Sequence, residues 1–325
     1  MRVRTAVFVL SFVVLAPLAA RAQQASEYPT KPVTIVIPFA AGTSIDQAFR
    51  LYAQSIGESS GKQFIMNYRV GAAGSIGAAS VAKAPPDGYT LLAATSAMVI
   101  TPFTYSNLTY DHIKDFAPIT LMLKQLYVLA AHPSAPFRDT RQYIAYAKAN
   151  PEKINYATAG AGSSTHLPGA LLHYMTNTKV TFVHYKAATQ RMLDLIAGRV
   201  EVTGATLTAA LPHIKDGKLR SLGVASAQRT HLYPDMPTIA EQGVPGYEYT
   251  GWNGLSAPVG TPPAIIDRLH AMFVAAGTNP AVAKALEASG TTMVNSTPQA
   301  FRQHIATETE RWGKVIKATG IKLEE

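Results

Sequence analysis

Short apolar runs of strand length recur along this chain, each followed by a glycine- or hydroxyl-bearing turn and then by a stretch of helical spacing. No other feature restricts the fold so strongly. Residues 33–39 (VTIVIPF) read as a buried strand, and Ile45, Phe49, Tyr52 and Ile56 then recur at helical spacing up to a stop at Gly57. Further strand candidates are 64–68, 89–95, 127–131, 154–157, 180–184, 200–203 and 219–225, mostly separated by helical stretches. The alternation predicts an α/β fold with largely parallel sheets. Towards the C-terminus Pro298 suits a first helical position after Thr297, and Phe301, Ile305, Trp312 and Ile316 share one face, which reads as core.

The first residues, MRVRTAVFVLSFVVLAPLAARAQ, combine two arginines, an apolar run and Ala20-Arg21-Ala22, the pattern of a signal peptide cleaved before Gln23. The apolar run is shorter than the roughly 20 residues of a spanning helix. Cysteine is absent, which leaves no lipid-attachment cysteine, disulfide or thiol nucleophile and suits a bacterial periplasm. Cleavage removes Arg2, Arg4 and Arg21, taking the formal net charge from +9 to +6 and leaving 303 residues. A chain of that length predicts two domains. Its moderate positive charge suits anionic solutes. No segment dense in Lys and Arg and interleaved with aromatics points to nucleic acid. Without low-complexity linkers, the domains need short crossovers, for which 124–127 and 249–252 are the candidates.

Ligands of α/β sheets sit beyond the C-terminal ends of strands. Three polar turns occupy such places: 40–46 (AAGTSID), 95–97 (TSA) and 158–166 (TAGAGSSTH). In the first and third, glycines admit close backbone approach and the following helix start offers free N–H groups and a positive dipole end. Hydroxyls add donors without a competing negative charge. This chemistry recognises an anion, most simply a carboxylate; a plainer role for Ser163, Ser164 or Thr165 is to cap the helix.

Enzymatic patterns fare less well. Residues 57–61 (GESSG) match G-x-S-x-G, yet the match follows a helix and precedes a strand, the reverse of a nucleophile elbow. Residues 160–162 (GAG) open like a dinucleotide fingerprint, but Thr165 stands at the third glycine position. No Walker lysine follows a glycine turn. The nine histidines form no H-E-x-x-H, and His166 and His173 share a helix face without a nearby acid. Neither a cofactor nor a metal is expected. Nothing in the sequence positions a Ser–His–acid triad, although a hydrolase or transferase using His166 and a nearby serine stays open as an alternative.

The chain from 28 to 42 (YPTKPVTIVIPFAAG), 68 to 91 (YRVGAAGSIGAASVAKAPPDGYTL), 158 to 166, 183 to 202 (VHYKAATQRMLDLIAGRVEV), 210 to 224 (ALPHIKDGKLRSLGV) and 236 to 248 (MPTIAEQGVPGYE) resembles the solute receptors of tripartite tricarboxylate transporters, the Bug-type or TctC-like proteins. The order and spacing of these segments carry the resemblance over the whole mature length. It implies a two-domain periplasmic-binding-protein (Venus flytrap) fold with the ligand cleft between lobes. The lobes are expected as 23–125 plus 251–325 and 126–250, after a signal peptide at 1–22. It further implies a monomer that traps a small carboxylate and delivers it to large and small membrane subunits of a transporter. A sensory receptor feeding a signalling partner is the other non-enzymatic alternative.

Such receptors hold a carboxylate through the first turn and the turn at 158–166. The expected ligand-binding residues are therefore Phe39, Ala40, Gly42, Thr43 and Ser44, with Thr95 and Ser96 at the base, and Thr158, Ala159, Gly160, Gly162, Ser163, Ser164, Thr165 and His166. Two departures from the family pattern stand out. Hydroxyl residues Thr43 and Ser44 replace glycines of the first turn, and the matching aspartate, Asp46, is expected to cap the helix rather than face an anion. After the strand at 200–203, Gly204 and Ala205 stand where the family often has a bulky residue and an aspartate. They are expected to shape the far wall, leaving no partner for a ligand ammonium and opening room for a non-amino dicarboxylate, with terephthalate the favoured example.

Overall fold

The strand–turn–helix rhythm is realised from the first strand onward. β1 (Val33–Ile37) leads into α1 (Ser44–Ser60), β2 (Phe64–Tyr68) into α2 (Ser75–Ala82), and β3 (Thr90–Thr95) into a 3-10 turn at Ser96–Val99. Next come β4 (Phe116–Ala131), α3 (Thr140–Ala149), β5 (Asn155–Thr158), α4 (Leu167–Thr176), β6 (Thr181–His184), α5 (Ala188–Ile196), β7 (Val202–Thr206), α6 (Leu207–Lys215) and β8 (Arg220–Val224). The remainder is β9 (Thr250–Pro258), α7 (Pro263–Gly277), α8 (Pro280–Glu287), β10 (Thr291–Met293) and α9 (Pro298–Thr319). The computed structural model describes residues 27–319 except 187, 231, 232 and 289. The expected signal peptide at 1–22 lies outside the described residues. Among these no helix is long and apolar enough to cross a membrane.

The fold is α/β and two-lobed, and its sheets are mixed rather than largely parallel. Strands β2, β1 and β3 pair in parallel, as do β6, β5 and β7. Between the two sets run β4 and β9, antiparallel to their neighbours, in the order β2-β1-β3-β9-β4-β7-β5-β6. β4 serves both sheets. Its residues up to Leu126 pair with β9, where Leu126 faces Thr250, and from Tyr127 onward it pairs with β7, where Tyr127 faces Thr206. The chain re-enters the first sheet beside that handover, since Tyr249 directly precedes β9, and the Tyr127 and Tyr249 rings meet edge to face at 4.9 Å.

Neither the first half of β4 nor β9 was expected as strand. β9 reads TGWNGLSAP, poor in β-branched residues. Its glycines answer a packing demand: a Cβ at Gly251 would come 2.5 Å from the Tyr127 ring, and one at Gly254 would overlap Phe301. α1 also runs past the expected stop at Gly57 and ends at Gly61, whose φ of 68° supplies the left-handed cap. The G-x-S-x-G match is therefore a helix end. On α9, Phe301, Ile305, Trp312 and Ile316 are all buried, as their spacing predicts. They join a core cluster that includes Leu92 of one lobe and Tyr156 of the other. Each large apolar side chain so buried contributes about 1.5–3 kcal/mol.

Candidate functional site

In both lobes the parallel strands point their C-terminal ends towards the same space. Turns after β1 and β3 from one sheet, and after β5, β6 and β7 from the other, border a cleft of about 430 Å³. Its floor is the handover region, with Gln125 and Tyr127 from β4 and Trp252 and Asn253 from β9.

The first turn brings Phe39, Ala40, Gly42, Thr43 and Ser44 to the cleft. Gly42 takes a φ of 80°, and its N–H donates to Asp46 Oδ2 at 2.8 Å. Asp46 is thus turned away from the cleft and braces the turn, accepting also from Arg50 Nε at 2.9 Å and the Tyr68 hydroxyl at 2.7 Å. Burial alone would raise its pKa, but the Gly42 amide, Tyr68 and Arg50 outweigh it and hold the carboxyl below its ordinary value. Thr43 Oγ1 donates to Ala40 O at 2.8 Å, fixing the loop. No side chain caps α1 at Thr43, and the amides of Ser44 and Ile45 have no acceptor among the described residues. Thr95 and Ser96 line the base, where Ser96 Oγ lies 3.5 Å from the Tyr249 hydroxyl.

The turn at 158–166 divides its labour. Ala159, Ser164 and Thr165 line the cleft; Thr158, Gly160, Gly162, Ser163 and His166 do not. Those five build the scaffold. Thr158 Oγ1 meets His184 Nδ1 and accepts the Gly160 N–H, while Gly162 N–H donates to His166 Nδ1 at 3.0 Å. Ser163 Oγ lies 3.0 Å from Thr165 Oγ1, which accepts the Ala159 N–H at 2.8 Å. The amides of Ser164 and Thr165 have no acceptor among the described residues. Burial and the neighbouring His184 push the His166 pKa down to about 4, so it is neutral at neutral pH. Its Nδ1 is occupied by the Gly162 amide. His166 thus braces the turn through Nδ1 and is not among the residues that line the cleft. His173 is likewise tied, Nε2 to the Tyr143 hydroxyl at 2.9 Å and Nδ1 to Thr178 Oγ1 at 2.7 Å.

The expected far wall is a correction. Neither Gly204 nor Ala205 reaches the cleft. β7 continues to Thr206, three residues beyond the expected strand end, so both positions lie inside the sheet. A Cβ at Gly204 would sit 2.5 Å from the Tyr156 hydroxyl and 2.9 Å from Pro168, and Ala205 is fully buried against Leu195 and Leu207. The wall is instead Thr206, Thr208 and Ala209 at the start of α6, with Thr189, Arg191 and Met192 on α5.

Arg191 is the lining residue whose absence from the sequence reading matters most. It lies four positions before the buried Leu195, so a charge occupies the apolar stripe of its helix, a signal present in the sequence. Among the described residues that line the cleft there is no aspartate and no glutamate, and Arg191 is the single cation. The arrangement suits an anion without an ammonium group.

Residues 48–321 match the model of the family described as tripartite tricarboxylate transporter family receptor. The chain is 32% identical to Protein BugT of Bordetella pertussis over 320 residues, covering 98% of this chain and 97% of the relative. Among solved structures, Rhodopseudomonas palustris Rpa4515 with adipate superposes with a TM-score of 0.87 at 34% identity, covering 91% of this chain and 99% of that one. MatC from the same organism, with bound malate, gives 0.82 at 29% identity, covering 89% and all of that chain.

Proposed function

The chain belongs to the tripartite tricarboxylate transporter receptor family, and on that premise we propose that it captures a small non-amino carboxylate in the cleft and presents it to a membrane permease. As a family of transport receptors, it leaves no place for the hydrolase or transferase alternative. One observation carries the ligand class: two helix-starting turns with open amides face one cleft that has no carboxylate among its described lining residues. The amides of Ser44, Ile45, Ser164 and Thr165 hold one ligand carboxylate, and an amino group would find no counter-ion. Neighbours with adipate and malate support an aliphatic acid. The case for terephthalate rested on room opened by Gly204 and Ala205, which the buried positions of both residues withdraw.

The proposal extends to cell biology and motion. Residues 1–22 are removed on export, and the mature protein works in the periplasm as a monomer beside large and small membrane subunits. Lobes 23–125 plus 251–325 and 126–250 close around the solute by bending at Leu126–Tyr127 and Tyr249–Thr250. A thermal-shift panel tests the ligand class. A non-amino acid at 100 times its dissociation constant adds about 2.7 kcal/mol of stability. Failure of every carboxylate to shift the transition, or a larger shift with aspartate or glutamate, would refute the proposal.

A further inference from the structure

We propose that the Arg191 guanidinium is the counter-ion for a second carboxylate of the bound solute, so that the cleft selects dianionic over monoanionic acids. This rests on the carboxylate reading above and assigns the far end of the ligand. Arg191 is 5% exposed, sits in the first turn of α5 and lines the cleft. Nη1 donates to Thr203 Oγ1, and that hydroxyl donates to Ala157 O at 2.7 Å, which anchors the guanidinium to the sheet beneath. Nε is buried without any hydrogen-bond partner, and no carboxylate pairs with Arg191 among the described residues.

The titratable groups facing Arg191 are Tyr156, Tyr127 and Tyr185. Burial raises the pKa of all three, so none supplies a compensating negative charge at neutral pH. A guanidinium keeps its proton under these conditions. The molecule therefore maintains a buried cation with no paired carboxylate, beside an opening whose described lining residues include no acid. Such a charge is costly until an anion reaches it. The amides of Ser44, Ile45, Ser164 and Thr165 already provide two donors for each oxygen of one carboxylate. Arg191 belongs to neither of their turns and is left for another. A cleft of about 430 Å³ has room for both ends of a small diacid.

The test compares mature wild type with Arg191→Met by calorimetric titration, using straight-chain dicarboxylates from succinate to suberate and monocarboxylates of equal chain length. Wild type should bind at least one dicarboxylate about 10- to 100-fold more tightly than its monocarboxylate counterpart, the range of a hydrogen bond to a charged group. Arg191→Met should lose that margin while keeping its monocarboxylate affinity. Ligand-free Arg191→Met should also melt no lower than wild type, because an uncompensated buried charge has been replaced by an apolar chain of similar length. Arg191→Lys, which keeps the charge but not the planar fork, should retain part of the margin and serves if Arg191→Met does not fold. Equal wild-type affinity for paired acids, or equal weakening of both classes in the variants, overturns the second-carboxylate assignment and leaves the carboxylate reading standing. Absence of saturable binding by every acid overturns both.

Discussion

Gly204→Ala separates a packed interior position from an open cleft wall with a single methyl group. Gly204 has no left-handed backbone, so in open space alanine would stabilise the fold by about 0.4–1 kcal/mol through a less flexible unfolded chain. The structure predicts the opposite sign. The new Cβ would lie 2.5 Å from the Tyr156 hydroxyl, 2.9 Å from Pro168 Cγ and 3.2 Å from Thr165 O. Tyr156 has little freedom to yield, being fully buried with its ring 5.3 Å from Phe182 and 6.1 Å from His173. Overpacking of this kind costs about 1–3 kcal/mol. Set against the entropic gain, the net loss is about 1–2 kcal/mol. Urea unfolding of ligand-free protein should show a lower midpoint with an unchanged slope. Because Thr165 belongs to a turn proposed to bind the anion, ligand affinity should fall as well. A midpoint equal to or above that of wild type would refute the packing argument and restore Gly204 as a wall that opens the cleft.

Removing the Thr165 hydroxyl with Thr165→Ala takes the acceptor from the Ala159 amide, so stability and carboxylate affinity should each drop by about 1–2 kcal/mol in urea unfolding and calorimetry. Ser164→Ala, at a residue that lines the cleft, should weaken binding by about 1–3 kcal/mol and also lower the midpoint, because its hydroxyl is a partner of the buried Tyr127 hydroxyl; unchanged affinity would remove that side chain from the contacts. For Asp46 the folded pKa is depressed, so its contribution is present above the unfolded value near pH 4 and is lost as pH falls through the folded value. Asp46→Asn should therefore lower stability at neutral pH and flatten the acid limb of the stability profile, and an unchanged limb would contradict the brace. Solution scattering should give a smaller radius of gyration with saturating ligand, since the open amides sit on opposite lobes; identical curves would contradict closure.

The elements that the sequence exposed are those whose local pattern and tertiary role coincide. β1, β3 and β5 are apolar runs that end in glycine or hydroxyl turns, and those turns do border the cleft at Phe39, Ala40, Gly42, Thr43, Ser44, Thr95, Ser96, Ala159, Ser164 and Thr165. β9 was hidden because Gly251 and Gly254 lower its strand propensity, and the reason for both lies in aromatic rings far away in sequence. The misplaced wall has a similar origin. A strand end read three residues early put Gly204 and Ala205 at the rim, where Thr206 stands. Within the turn at 158–166, composition pointed to anion binding but could not divide the residues that line the cleft from those that brace the turn. That division depends on which hydroxyl meets which amide, as with Thr165 and Ala159. Arg191 was visible as a charge on an apolar stripe, but only the fold shows that its stripe borders the cleft.

The most direct test of the account is a crystal structure of the mature protein with the dicarboxylate that binds it most tightly. It should show closed lobes, one carboxylate within hydrogen-bond distance of the Ser44, Ile45, Ser164 and Thr165 amides, and the other against the Arg191 guanidinium. A ligand seated outside this cleft, or one whose carboxylates meet neither turn, would contradict it.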